Sequence, residues 1–150
     1  MCSKRGALIV LEGCDRAGKS TQVKLLTNAL NERSIPTKAS AFPNRNTPIG
    51  GLLNGFLSKE INIPPEAAHL LFSANRWECK EDIEKMLLSG TTLVIDRCRN
   101  ISKSCAITGD DTWMTVDADQ NVLTIHGEIL KKALSVIQEV QFRRIELLNS

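Results

Sequence analysis

Two short runs at 7–11 and 91–95 are apolar or β-branched at nearly every position, with no polar alternation. That is the pattern of parallel strands covered by helices on both faces. A weaker strand is predicted at 38–42, closed by Pro43, and a further short one at 112–116. Between these runs the period changes. Val23, Leu26 and Leu30 fall at helical spacing within 21–33, where Ser34 and Pro36 mark the stop, and Leu52, Leu53, Phe56 and Leu57 do so within 49–59. Pro64 and Pro65 suit a helix start, and a single stripe through Ala67, Leu70, Leu71, Ala74, Ile83 and Leu87 predicts one long helix over 66–89, stopped by Gly90. Val122, Ile125, Ile129, Ala133, Val136, Ile137 and Val140 trace a last helix. Strands alternating with helices imply an α/β fold with a parallel sheet, whose ligands bind beyond the carboxyl ends of the strands. No repeat or linker interrupts the pattern, so residues 1–150 read as one domain.

Composition changes this picture little. Apolar residues make up 42% and charged residues 24%, ordinary for a soluble globular chain. A net charge of +2, spread evenly, argues against nucleic acid or a membrane surface as partner. Cys2, Cys14, Cys79, Cys98 and Cys105 are odd in number, contain no CxxC pair and follow no secretory leader. They read as reduced thiols, which places the expected location in the cytoplasm, with the nucleus as the alternative.

Chemistry enters between the first strand and the first helix. Gly13-x-x-x-x-Gly18-Lys19-Ser20 has the full spacing of a phosphate-binding P-loop. In such a loop the glycines let backbone N–H groups converge on phosphate oxygens, Lys19 reaches the β and γ phosphates, and Ser20 ligates Mg²⁺. The bland alternative is a Gly-rich turn that caps a helix. Asp96, at the end of the second strong strand, is either an acid delivered beside the metal or a simple turn residue. Phe72 and Arg76 share a helix face and would hold a flat base between ring and guanidinium, or else serve as core residue and surface cation. Arg45 is a surface arginine by default and a clamp for a second phosphate beside a P-loop. The cysteines and His126 lack zinc spacing, no Ser-His-acid set competes, and no Asn-Lys-x-Asp segment reads guanine.

These residues carry a resemblance. RGALIVLEGCDRAGKSTQ, FPNRNTPIG, HLLFSANRWE and TLVIDR resemble the thymidylate kinases of eukaryotes, almost without gaps over residues 5–97. The resemblance implies the P-loop hydrolase-type sheet of the nucleoside monophosphate kinases, with helices on both faces. It implies transfer of the γ-phosphate of ATP to thymidine monophosphate (dTMP), with ATP as donor and Mg²⁺ as cofactor. Catalytic roles then fall to Arg16, Lys19 and Asp96, and metal contacts to Ser20 and Asp96. Gly13, Cys14, Asp15, Arg16, Ala17, Gly18, Lys19, Ser20 and Thr21 would bind the ATP phosphates. Asp15, Phe42, Arg45, Phe72, Arg76 and Arg97 would bind dTMP, and Asp117 and Ala118 would line the adenine. A homodimer formed through helices is also expected.

Departures from the family begin at Cys98, where the family carries a tyrosine, and residues 98–111 form a divergent junction. The family's Pro-Asp-Leu strand, its lid rich in arginine and glycine, and its Arg-Tyr-Glu motif are all missing from the sequence. Residues 112–150 resume the last strand and the terminal helix. The expected fold is therefore shortened by one strand and the lid. Two functions follow: a working kinase, or an impaired nucleotide-binding variant that associates with a complete kinase subunit.

Overall fold

The apolar runs become strands of one parallel sheet. In the computed structural model, which describes residues 4–14, 16–98 and 114–141 (Arg97 and Cys98 by backbone alone), β1 (Leu8–Gly13), β2 (Thr37–Phe42) and β3 (Thr92–Cys98) lie in the order β1-β3-β2. Leu11 and Ala41 both stand opposite Asp96, and Phe42 stands opposite Arg97. The carboxyl ends of all three strands therefore meet at one edge.

Successive residues of β3 face opposite layers, because side chains alternate along a strand. Val94 packs with Ala7, Val23, Leu26, Leu30, Ala133 and Ile137, under α1 (Lys19–Glu32) and the C-terminal helix Val122–Val140. Ile95 packs on the other side with Phe42, Cys79 and Ile83. Leu26, Leu30 and Val94 are fully buried, each contributing about 1.5–3 kcal/mol of transfer free energy. Helices on both faces are thus present.

Between β2 and β3 run α2 (Pro48–Leu57), α3 (Pro65–Glu78) and α4 (Lys80–Leu88), and Val122–Val140 is α5. The long helix expected over 66–89 is two helices. Cys79 ends α3 with φ −89° and ψ −3°, its N–H bonded three residues back to the Arg76 carbonyl at 3.1 Å. Its thiol side is buried against Phe42 and Ile95. The apolar stripe survives because breaking a helix at one residue hardly disturbs the period. Glu81 and Asp82 in the first turn of α4 mark the new N-terminus, where acids complement the helix dipole. The strand expected at 112–116 is not formed where it is described: Met114 to Val116 join no ladder, and Thr112 and Trp113 lie outside the described residues.

Among the described residues β1 is an outer strand, and its Leu8 and Val10 are 40% and 38% exposed.

Candidate phosphate and acceptor site

The P-loop forms where β1 hands over to α1. Gly18 caps α1 with φ +75°, a left-handed conformation that glycine adopts without steric cost. Arg16 also has positive φ, at 65°, which is uncommon for a residue with a Cβ, and it is exposed. The Ala17 N–H reaches the Cys14 carbonyl at 3.3 Å to close the turn. Lys19 Nζ donates to the carbonyls of Gly13 at 3.1 Å and Cys14 at 2.6 Å, so the ammonium is folded against the loop it would share with a phosphate. Asp15 lies outside the described residues, and Thr21 is exposed on the first turn of α1.

Asp96 reaches this loop from the neighbouring strand. Ser20 Oγ donates to Asp96 Oδ2 at 2.5 Å, joining the start of α1 to the end of β3. Among the described residues no group of three or more His, Cys, Asp or Glu forms a metal cage. Two hard oxygens at a phosphate loop suit Mg²⁺, which binds through one or two protein oxygens plus phosphate and water rather than an all-protein cage. The donor set therefore fits this metal.

The residues expected to meet the acceptor lie across β3 from the P-loop. Phe42, at the end of β2, is buried with Cys79 and Ile95. Arg45 is exposed on the following loop; Phe72 and Arg76 are half-buried on α3, with Arg76 Nη1 donating to the Phe72 carbonyl at 3.1 Å. Arg97 places its backbone beside Phe42 on β3. Asp117 and Ala118 form an exposed turn ahead of α5, where Asp117 Oδ1 accepts from the Asp119 N–H at 3.0 Å.

Two connections escaped sequence reasoning. Gln22, buried one turn into α1, donates to the Val122 carbonyl at 2.9 Å and ties the start of α5, with its preceding turn, to the P-loop helix. Asn75, fully buried on α3, accepts from the Asn44 N–H at 2.8 Å, and its Nδ2 lies 2.7 Å from Thr47 Oγ1, 3.1 Å from the Asn44 carbonyl and 3.2 Å from Glu78 Oε2. No sequence pattern marks Asn75; its complete burial is what obliges the amide to find partners. Glu78 completes the cluster by accepting the Ile49 N–H at 3.2 Å. Desolvation raises the Glu78 pKa, but hydrogen bonds from its neighbours, the Ile49 N–H and the Asn75 amide among them, outweigh it and hold the carboxyl below its ordinary 4.5.

A parallel sheet with helices on both faces, a phosphate loop after its first strand and an acid from the adjacent strand make a P-loop fold, the class to which the nucleoside monophosphate kinases belong. A family model described as thymidylate kinase matches residues 11–106. The chain is 50% identical over 95 residues to the thymidylate kinase of Dictyostelium discoideum, covering 63% of this chain and 43% of that protein. It is also 50% identical over 97 residues to the thymidylate kinase of Homo sapiens, covering 65% and 46%. The solved thymidylate kinase from Candida albicans superposes with a TM-score of 0.58 at 33% identity, over 89% of this chain and 57% of that one. This chain belongs to the thymidylate kinase family. Its match spans less than half the length of these curated relatives.

Proposed function

We propose that the chain transfers the γ-phosphoryl group of ATP to the 5′ phosphate of dTMP, giving the diphosphate and ADP. An acceptor phosphate oxygen bonds to the γ phosphorus as the bond to the β-phosphate oxygen breaks. Phosphoryl transfer of this kind depends on positioning and charge neutralisation more than on covalent chemistry. Lys19 exchanges its carbonyl partners for β and γ oxygens, and the backbone of residues 13–21 cradles the phosphates. Arg16 neutralises charge on the transferring group. Arg45 and Arg97 hold the acceptor phosphate, Asp15 meets its sugar hydroxyl, Phe72 stacks on the base, Arg76 bonds it, and Phe42 shapes that side from below. Asp117 and Ala118 line the adenine. Ser20 and Asp96 would hold Mg²⁺, which supplies charge neutralisation across the donor phosphates.

The observation that carries this reading is the Ser20–Asp96 contact, which sets the P-loop and the acid at the carboxyl edge facing the Arg45 loop. The test is ADP formation that depends on dTMP, compared with Arg16→Ala. A loss of roughly a thousandfold or more is expected for the variant, the scale of an arginine that stabilises transferring phosphate. ATP binding without dTMP-dependent turnover, indifferent to Arg16, would refute it.

A second reading is favoured by coverage: the match spans 43% and 46% of two relatives, and the sequence holds none of the family's lid motif. Losing a lid admits water to the phosphoryl group. On this reading the chain binds nucleotide and associates with a complete kinase subunit, and co-purification without activity of its own would distinguish it. Leu70 and Trp77, 71% and 59% exposed and two turns apart on α3, support association through helices, including a homodimer. Both readings place the chain in the cytoplasm, or the nucleus, where an exposed thiol such as Cys14 stays reduced.

A further inference from the structure

We infer that Asn75 is a positioning residue for the acceptor site, bracing the loop that carries Arg45 against the helix that carries Phe72 and Arg76. The inference rests on the reading of those three residues as the acceptor site. Asn75 stands between Phe72 and Arg76 in sequence and is 0% exposed. Its amide grips Asn44 as a strand would, taking the N–H at 2.8 Å and offering Nδ2 to the carbonyl at 3.1 Å. Thr47 reinforces the grip from beyond Arg45, donating its hydroxyl to the Asn44 carbonyl at 3.0 Å while accepting from Asn75 at 2.7 Å and from the Gly50 N–H at 3.1 Å. The Asn44 side chain is tied as well, to the Asn46 N–H at 3.1 Å and to Cys79 Sγ at 3.4 Å.

The consequence is a fixed root for an exposed head. Arg45 is exposed, but the Asn44 backbone immediately before it is bonded on both its groups and Thr47 is held two residues later. A long guanidinium can meet a phosphate productively only if its Cα sits at a set distance from the stacking ring, and Asn75 sets that distance by spanning loop and helix with one side chain. Affinity is improved when such ordering is done before the ligand arrives. The P-loop, which would hold the donor phosphates, follows β1 on the other side of β3 from this network.

Two measurements on the full chain test it: calorimetric titration with dTMP and, separately, with ATP and Mg²⁺, and amide hydrogen exchange across residues 44–50. Asn75→Asp preserves shape and the acceptor oxygen, removes the donors and sets a carboxylate beside Glu78. We expect dTMP affinity to fall by about tenfold or more, the effect of unmaking buried hydrogen bonds, with ATP affinity unchanged and exchange accelerated only across 44–50. Thr47→Val should reproduce the loss and Thr47→Ser should restore it, a comparison that stands alone if Asn75→Asp does not fold. Equal weakening of both ligands, or acceleration across the whole sheet, would assign Asn75 to general stability and overturn the inference. Normal dTMP binding by Asn75→Asp and Thr47→Val would overturn it too. Wild-type protein that binds no dTMP overturns the acceptor reading itself, and the bracing role with it.

Discussion

Adjacent glycines in α2 offer a test in which one methyl group has opposite effects at neighbouring positions. A Cβ added at Gly50 would lie 1.8 Å from the Asn44 carbonyl oxygen and 2.8 Å from Thr47 Oγ1, whereas at Gly51 it would meet nothing within 4 Å. The oxygen at 1.8 Å is backbone and cannot rotate aside, so Gly50→Ala must push the loop and helix apart by more than an ångström to reach an ordinary contact of about 3.2 Å. Overpacking of this kind costs about 1–3 kcal/mol, and disturbing the Asn44 carbonyl's bonds to Asn75 and Thr47 adds about 1–3 kcal/mol. The gain in helix propensity offsets about 1 kcal/mol. The net is a loss of about 1–5 kcal/mol, or roughly 3–15 °C in melting temperature for a domain of this size. Gly51→Ala keeps only the propensity gain and should melt about 2–3 °C higher. Thermal unfolding followed by circular dichroism reads both. Gly50→Ala melting at or above wild type would refute the close approach of α2 to the Asn44 loop, and Gly51→Ala melting as low as Gly50→Ala would refute the assignment of inner and outer faces.

Other expectations concern the core, the metal and acid. Leu26→Ala, at a fully buried position on α1, should cost about 2–5 kcal/mol in denaturant unfolding; a cost under about 1 kcal/mol would show that α1 does not pack as described. Asp96→Asn removes a charge from the Ser20 contact and should weaken ATP binding about tenfold in the presence of Mg²⁺ but little in its absence, as measured by calorimetry with and without chelator. Glu78 has a folded pKa below its ordinary 4.5, so its contribution to stability is present above that value and is lost as pH falls through the folded pKa. The melting-temperature gap between wild type and Glu78→Gln should therefore be largest near neutrality and shrink in acid; a gap that widens as pH falls would invert the sign.

Elements with a strong apolar signature were the legible ones. The runs at 7–11 and 91–95 became β1 and β3 because unbroken apolar and β-branched sequence favours a strand; β3 is buried in the middle of the sheet as its pattern demands, whereas β1 keeps Leu8 and Val10 partly exposed. The P-loop was legible for a different reason: its chemistry constrains both spacing and residue type, and the structure adds the Ser20–Asp96 contact that no spacing rule contains. Periodicity failed at Cys79, since a one-residue break changes the direction of a helix while leaving its stripe in phase. It failed again at Met114 to Val116, where a strand needs a partner to pair with and none is present among the described residues. Asn75 was passed over because a lone amide in an apolar helix carries no pattern; its meaning lies in Asn44 and Thr47, some thirty residues away in sequence. Burial of polar atoms is a three-dimensional fact, and single-sequence patterns do not encode it.

The half-exposed first strand has a consequence for how occupancy and folding communicate. Gly13 is both the last residue of β1 and the first of the phosphate loop, and Leu8 and Val10 are exposed along that strand. Fraying of β1 is therefore also loosening of the loop, with no intervening hinge to decouple them. A triphosphate seated on Gly13 to Ser20 and bonded through Lys19 would act as a clasp at the strand's far end. On the proposed function, nucleotide would stabilise the folded chain by mass action through this strand, so that its melting temperature rises with the concentration of ATP.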